Sequence, residues 1–288
     1  MAIRKVGVVG CGLMGSGIAQ VSAAAGYDTL VAEVSEELLN RGMDRLRGFL
    51  ADGVKRGKMS QEQVDGILSR IRPTVSLQDF ADRDIVIEAI IENMPEKRKL
   101  YGELDKICSP RTVFASNTSS LCITEMAAVT KRLDRFVGMH FFNPVPLMKL
   151  VEVVQTICSS AEVVEEVKAF GESLGKRAIV AKDSPGFIVN RLLVPYLVEA
   201  VRMLESGLAS KEDIDAGMVL GCGYPMGPFT LLDLVGLDTT YYIANIFHEE
   251  LKVPHYAPPP LLKQMVLAGL HGRKTGKGFY DYTSGTQK

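Results

Sequence analysis

Val6-Gly7-Val8-Val9-Gly10-Cys11-Gly12-Leu13-Met14-Gly15 is the stretch on which the fold reading turns. Its first four residues read as a short buried strand. The G-x-G-x-x-G that follows opens a helix of small residues over 14–25, stopped at Gly26. Residues 29–34 form the next strand and close a strand–helix–strand unit of about thirty residues, the context that separates a dinucleotide fingerprint from an ordinary glycine turn. In that fingerprint Gly10 permits the tight turn, Gly12 lets the backbone approach a pyrophosphate, and Gly15 lets the helix pack on the sheet. Cys11, Leu13 and Met14 complete the loop, and the helix N-terminus supplies oriented N–H donors. Glu33 follows about twenty residues on, at the end of the second strand. Its carboxylate suits two ribose hydroxyls and repels a 2′-phosphate. Position 32 is alanine and no arginine follows closely, so NAD rather than NADP is the expected cofactor.

The alternation continues outward. Ser35 caps a helix with apolar Leu38, Leu39, Met43, Leu46 and Leu50, and Ser60-Gln61-Glu62-Gln63 reads as a capping box before Val64, Ile67, Leu68 and Ile71. Further strands are predicted over 85–88, 113–116, 136–139, 150–154 and 177–181, with a helix over 163–174. The expected fold class is α/β, a Rossmann-type mostly parallel sheet. Asp183-Ser184-Pro185-Gly186 is a turn cluster, beyond which strand-like runs nearly vanish. Residues 187–205, 211–220, 231–234 and 241–251 read as helices. The predicted organisation is therefore an α/β domain over 1–183 and a smaller all-helical domain over 184–288.

Composition narrows the function classes. In 288 residues, 33 Lys+Arg stand against 34 Asp+Glu, a net charge of −1, which gives no argument for nucleic acid or an acidic membrane as partner. Apolar stretches such as 85–91 are short and interrupted by Glu88, so no membrane span is expected. The five cysteines are odd in number and scattered without a C-x-x-C, which suggests free thiols in a reducing compartment and no metal site. The chain enters its first strand with no room for a presequence, and Gly285-Thr286-Gln287-Lys288 carries no peroxisomal address. A cytoplasmic location is expected.

Moving hydride from an alcohol to a nicotinamide needs a base for the hydroxyl proton, and histidine suits that task near neutral pH. Of His140, His248, His255 and His271, only His140 closes a predicted strand of the sheet, where open α/β folds place their ligands. The turn Phe141-Phe142-Asn143-Pro144 after it would expose the ring. Glu152, a charge among β-branched neighbours on the next strand, is a candidate partner that would orient the imidazole; the alternative is an outward-facing glutamate. Ser116-Asn117-Thr118-Ser119-Ser120 follows a strand and reads either as a polar turn with a serine N-cap or as a grip for a substrate oxygen.

These stretches resemble the 3-hydroxyacyl-CoA dehydrogenase family. The likeness runs through the glycine loop, 87–93, 116–120, Gly138-Met139-His140-Phe141-Phe142-Asn143-Pro144-Val145-Pro146, Pro185-Gly186-Phe187-Ile188-Val189-Asn190-Arg191, Tyr224-Pro225-Met226-Gly227-Pro228-Phe229 and Gly272-Arg273-Lys274-Thr275-Gly276-Lys277-Gly278-Phe279-Tyr280. It implies NAD-dependent oxidation of a 3-hydroxyacyl-CoA, or the reverse reduction, within fatty acid metabolism. By the resemblance His140 is the general base and Glu152 its orienting carboxylate. Ser119 and Asn190 meet the reacting oxygens, with Ser119 also close to the nicotinamide. Glu92, Lys97, Asn143 and Lys274 join the loop and Glu33 around NAD, and Asn190, beyond the boundary, puts the site in an interdomain cleft. Lys55 and Arg56, in the basic run 55–58, correspond to a helical hairpin that touches CoA. The chain departs from the family in carrying Glu33 where aspartate is usual. Two other readings stay open: a dehydrogenase of free 3-hydroxy acids, and a non-catalytic NAD-binding protein of the lens-crystallin kind. Leu192, Leu193, Tyr196, Leu197 and Val201, with Met218, Val219, Leu220, Phe229, Leu231, Leu232, Leu234 and Val235, crowd the short helical part. A homodimer through that part is therefore expected, as the resemblance also implies.

Overall fold

In the computed structural model, which describes residues 3–283, β1 (Lys5–Val9) runs into the glycine loop, and α1 (Leu13–Ala24) returns the chain to β2 (Asp28–Ala32). Residues 285–288, read above for an address, lie outside the described residues. Ser35 accepts from Leu38 N at 3.3 Å and starts α2 (Glu36–Lys55); Leu39, Met43, Leu46 and Leu50 form its buried stripe. Leu38 does not belong to that stripe: it sits 41% exposed on the solvent side. The capping box at Ser60 closes in both directions, Gln63 N to Ser60 Oγ and Ser60 N to Gln63 Oε1, and begins α3 (Gln61–Leu68).

The remaining strands are β3 (Ile71–Thr74), β4 (Ile85–Glu88), β5 (Val113–Ser116), β6 (Phe136–Phe141), β7 (Leu150–Gln155) and β8 (Arg177–Lys182). Together the eight strands of the described residues make one sheet in the order β3-β2-β1-β4-β5-β6-β7-β8. All neighbours are parallel except β6 and β7. Chain order reverses between β2 and β4 on either side of β1, which opens a crevice at the carboxyl ends of the strands, where such sheets bind ligands. Strands β4 and β5 are buried throughout, which is why they read as unbroken apolar runs rather than as alternation.

Three sequence expectations are corrected here. The second strand stops at Ala32, leaving Glu33 just past its end. The strand expected over 136–139 continues to Phe141, so His140 lies within it and is buried, not exposed by a turn. The helix expected over 211–220 is α8 (Lys211–Ala216) followed by a π-helical turn over Gly217–Gly221.

Contacts divide the chain between Ser184 and Pro185. In the first unit α4 (Met94–Ile107), α5 (Ile123–Ala127) and α6 (Ala161–Ser173) join α1–α3 around the sheet. The second holds α7 (Val189–Glu205), α8, α9 (Pro228–Val235), α10 (Leu237–Leu251) and α11 (Pro260–Leu267), packed on a core that includes Leu197, Val201, Phe229, Leu232 and Phe247. No helix of the described residues is long and apolar enough to cross a membrane.

Candidate active site

The glycine loop has the geometry its spacing demands. Gly10 sits at φ 97°, a conformation side chains rarely adopt, and a Cβ on Gly15 would lie 1.7 Å from Gly10 O. Above Gly12 a Cβ would meet no atom within 4 Å, so the loop borders open space. Gly12 is also the N-cap of α1. No side chain caps that end and no acid occupies its first turn, which leaves the dipole and backbone N–H groups to favour an anion. Glu33 leans onto the same loop, with Cys11 N–H donating to Oε1 at 2.8 Å and Val34 N–H to Oε2 at 3.0 Å. A carboxylate fixed beside an uncapped helix N-terminus fits the ribose and pyrophosphate of a dinucleotide. Burial first, and then the charge of Glu33, push the Cys11 thiol up to about 11, so it stays protonated at neutral pH.

At the ends of β4 and β5 lies a buried polar network. Glu88 is fully buried and holds Lys97 Nζ at 2.5 Å, Ser116 Oγ at 2.6 Å and Ile90 N at 2.8 Å. Lys97, on α4, bridges from there to Glu92 Oε2 at 3.2 Å. Glu92 Oε1 in turn accepts from Thr118 Oγ1, from Ser119 N at 3.2 Å and from Ser120 Oγ at 3.4 Å. Two carboxylates and one ammonium thus pin the backbone that presents Ser119. Such a set is stable only when every member is satisfied. Sequence reasoning took Glu88 merely as the charge that interrupts an apolar run. A glutamate at a buried strand's carboxyl end was the missed signal.

The loop after β5 is held from its other end too. No serine caps α5. Cys122 occupies the N-cap position, and Asp183 supplies the acceptors, taking Ile123 N at 3.1 Å, Thr124 N at 2.7 Å and Thr124 Oγ1 at 2.6 Å. Asn117 Oδ1 accepts from Phe141 N at 2.9 Å and ties this loop to the end of β6.

There His140 Nδ1 meets Glu152 Oε2 at 2.7 Å, the glutamate fully buried and the histidine nearly so. The two are direct register partners, because β7 runs antiparallel to β6 and returns its early residues to the carboxyl end of its neighbour. Where Nδ1–H donates to an ionised carboxylate, which only accepts, Nε2 is the ring nitrogen left to take a proton. The outward-facing alternative for Glu152 is excluded. The Phe142 ring stands 4.5 Å from the imidazole.

Asn143 is exposed on the loop after β6. At the end of α2, Arg56 joins Lys58, Asp52 and Phe49 in lining a cavity of about 700 Å³, which Pro146, Leu147, Leu174 and Gly175 also line. Lys55 is not in that lining and faces Asp52 at 3.6 Å. In the second unit, Asn190 lies in the first turn of α7, and Lys274 pairs with Asp238 at 2.5 Å. Burial pushes the Asp238 carboxyl up, but the hydrogen bond and charge of Lys274, with the Thr239 backbone N–H and His271, together hold it below its ordinary range.

Residues 5–184 match the family profile described as 3-hydroxyacyl-CoA dehydrogenase, NAD binding domain, and residues 186–282 match the C-terminal domain of the same family. Among curated proteins, a 3-hydroxybutyryl-CoA dehydrogenase of Mycobacterium tuberculosis is 47% identical over 283 residues, covering 98% of this chain and 99% of that one. The mitochondrial hydroxyacyl-coenzyme A dehydrogenase of Homo sapiens is 48% identical over 287 residues, covering 97% and 91%. Among solved structures, the (S)-3-hydroxybutyryl-CoA dehydrogenase of Ralstonia eutropha superposes with a TM-score of 0.95 at 44% identity, covering 98% of this chain and all of that one.

Proposed function

We propose, from the premise that this chain belongs to the 3-hydroxyacyl-CoA dehydrogenase family, that it interconverts a 3-hydroxyacyl-CoA and the corresponding 3-ketoacyl-CoA with NAD. The observation that carries the reading is the buried His140–Glu152 pair at the carboxyl end of the sheet, tied through Asn117 to the loop that presents Ser119. In the oxidising direction His140 Nε2 takes the C3 hydroxyl proton, and Glu152 stabilises the imidazolium that results. Bound NAD supplies the hydride acceptor, and NADH the donor in reverse. Ser119, its backbone fixed by Glu92, and Asn190 hydrogen-bond the reacting oxygens as charge develops on them. Gly10–Gly15 and the α1 N-terminus hold the pyrophosphate, and Glu33 holds the adenosine ribose. Glu92, Lys97, Asn143 and Lys274 complete the cofactor site. Lys97 acts from beneath, since it is buried between two carboxylates.

Arg56 and Lys58 beside a partly apolar cavity suit a phosphorylated, pantetheine-bearing thioester. On this reading residues 1–183 hold the cofactor and, at Arg56 and Lys58, part of the CoA ester, and residues 184–288 add Asn190 for the substrate and a homodimer contact, in a cytoplasmic enzyme. An NADH-oxidation assay tests the reading. Acetoacetyl-CoA is turned over, and acetoacetate at least 100-fold less well by kcat/KM, because the free acid lacks the CoA contacts, worth about 3 kcal/mol. NADPH is a poorer donor than NADH. Equal use of the free acid indicates a hydroxy-acid dehydrogenase, and absence of turnover indicates a non-catalytic NAD binder. NADPH at or above NADH would overturn the role of Glu33.

A further inference from the structure

Lys176 stands immediately before β8. It is buried, and its ammonium donates to two backbone carbonyls, Val145 O at 2.7 Å and Met148 O at 2.8 Å. Among the described residues no carboxylate pairs with it; the ring of Phe141, at 5.9 Å, is its other electron-rich neighbour. Burial, and then the like charge of Lys149, pull its pKa below the usual lysine range. An ammonium taken out of water without a counter-ion is costly, so a plain strand connection would be held more cheaply by an apolar stem.

The loop it grips is not a plain connection. Val145 is buried against α1, where a Cβ added to Gly17 would lie only 2.9 Å from Val145 Cβ. The helix that opens at the cofactor loop thus holds the segment from one side and Lys176 holds it from the other. Leu147 N and Met148 N both fold back onto Pro144 O at 3.0 Å, making a tight turn. Pro146 and Leu147, inside that turn, line the 700 Å³ cavity together with Arg56 and Lys58.

We propose that Lys176 is a positioning residue for the thioester substrate: its two carbonyl bonds fix the turn over residues 144–148 as one wall of the cavity, and so set the distance across which the basic end of α2 meets a CoA ester. The proposal rests on the reading of that cavity given under Proposed function.

Lys176→Met keeps the stem and removes the donor. It raises KM for acetoacetyl-CoA about tenfold, the scale of one lost charge-assisted hydrogen bond, while kcat stays within about threefold. The dissociation constant of free coenzyme A, by calorimetry, rises in parallel, and that of NADH stays within about twofold. Lys176→Arg, still a charged donor, restores most of the KM. A folded Lys176→Met protein with unchanged KM and unchanged coenzyme A affinity overturns the proposal. If that variant does not fold, Val145→Ala loosens the same turn from the α1 side and decides alike: the same KM rise supports the proposal, and an unchanged KM overturns it. Wild-type turnover of acetoacetyl-CoA separates the two layers. With it, failure of the variants touches only Lys176. A wild-type protein with neither turnover nor coenzyme A binding overturns both.

Discussion

At His140 the proposed acid–base role draws on its contact with Glu152. The 2.7 Å contact from Nδ1 to a fully buried Glu152 orients the ring and sets a carboxylate beside it. His140→Ala is expected to lower kcat about 100-fold or more with the NADH dissociation constant nearly unchanged, the scale of a lost general acid–base; stopped-flow turnover and fluorescence titration check both halves. Glu152→Gln keeps an acceptor for Nδ1–H but removes the charge, so kcat falls and the pH–rate profile of oxidation shifts. A profile that does not move would reduce Glu152 to a structural residue. Both positions were legible from the sequence, His140 as the one histidine at the end of a predicted strand and Glu152 as a charge among β-branched neighbours. What the sequence concealed was their burial: the strand runs two residues past its last aliphatic, through His140 and Phe141. Glu88 and Lys97 were harder still. Each reads alone as a charge, and only the closure of β4 onto α4 shows that they neutralise one another.

Among the elements, α4 and β3 were missed in the sequence for separate physical reasons. Helix α4 buries Lys97, Tyr101 and Leu104, at steps of four and three, so a lysine occupies a core position and breaks the hydrophobic period. Strand β3 is only four residues long and contains Arg72 and Pro73, tolerated because it lies at the sheet edge. In the second unit Asp215 receives Phe229 N at 2.7 Å and Thr230 N at 3.0 Å, capping α9 from α8. Asp233, on α9, takes Phe279 N at 2.9 Å, Tyr280 N at 2.8 Å and Tyr282 Oη at 3.0 Å, anchoring the last described segment. Removing three such acceptor contacts from a buried site by Asp233→Ala is expected to cost about 3 kcal/mol in urea unfolding. Burial outweighs those bonds and raises the Asp233 carboxyl above its ordinary value. The folded chain therefore holds this proton to higher pH than the unfolded chain. The group's stabilisation is complete below about pH 4 and declines as pH rises through the raised value. The gap between wild type and Asp233→Ala is consequently wider at pH 4 than at pH 8, and a gap below about 1 kcal/mol at both would show that the tail is held by other contacts.

For the whole molecule, the apolar surplus of the second unit poses the remaining question. Of the residues that crowd it in sequence, Leu197, Val201, Phe229 and Leu232 are absorbed by the unit's own core, and Leu193, Tyr196 and Leu231 pack against it. Leu192, Leu220, Leu234 and Val235 are not absorbed: Leu192 is 73% exposed and Leu220 is 84% exposed, with Leu208 and Leu267 similarly bare. Singly exposed leucines are ordinary, so the test of a shared contact is the oligomeric state itself. Sequence alone did not sort the two sets, since on α7 and α9 absorbed and exposed residues alternate along one helix and only the packing of α7 against α9 and α10 decides which side faces inward. The proposed homodimer would use part of this exposed set, since a two-fold contact sets the same surface of each copy against the other. The expected outcome in light scattering at micromolar concentration and physiological salt is a particle of twice the 31.4 kDa chain mass. A charge buried without a partner at such a contact costs several kcal/mol. Leu192→Glu or Leu220→Glu is thus expected to shift the population toward monomer, while far-UV circular dichroism stays unchanged because neither side chain belongs to the core. A wild-type protein that scatters as a monomer under these conditions overturns the assignment.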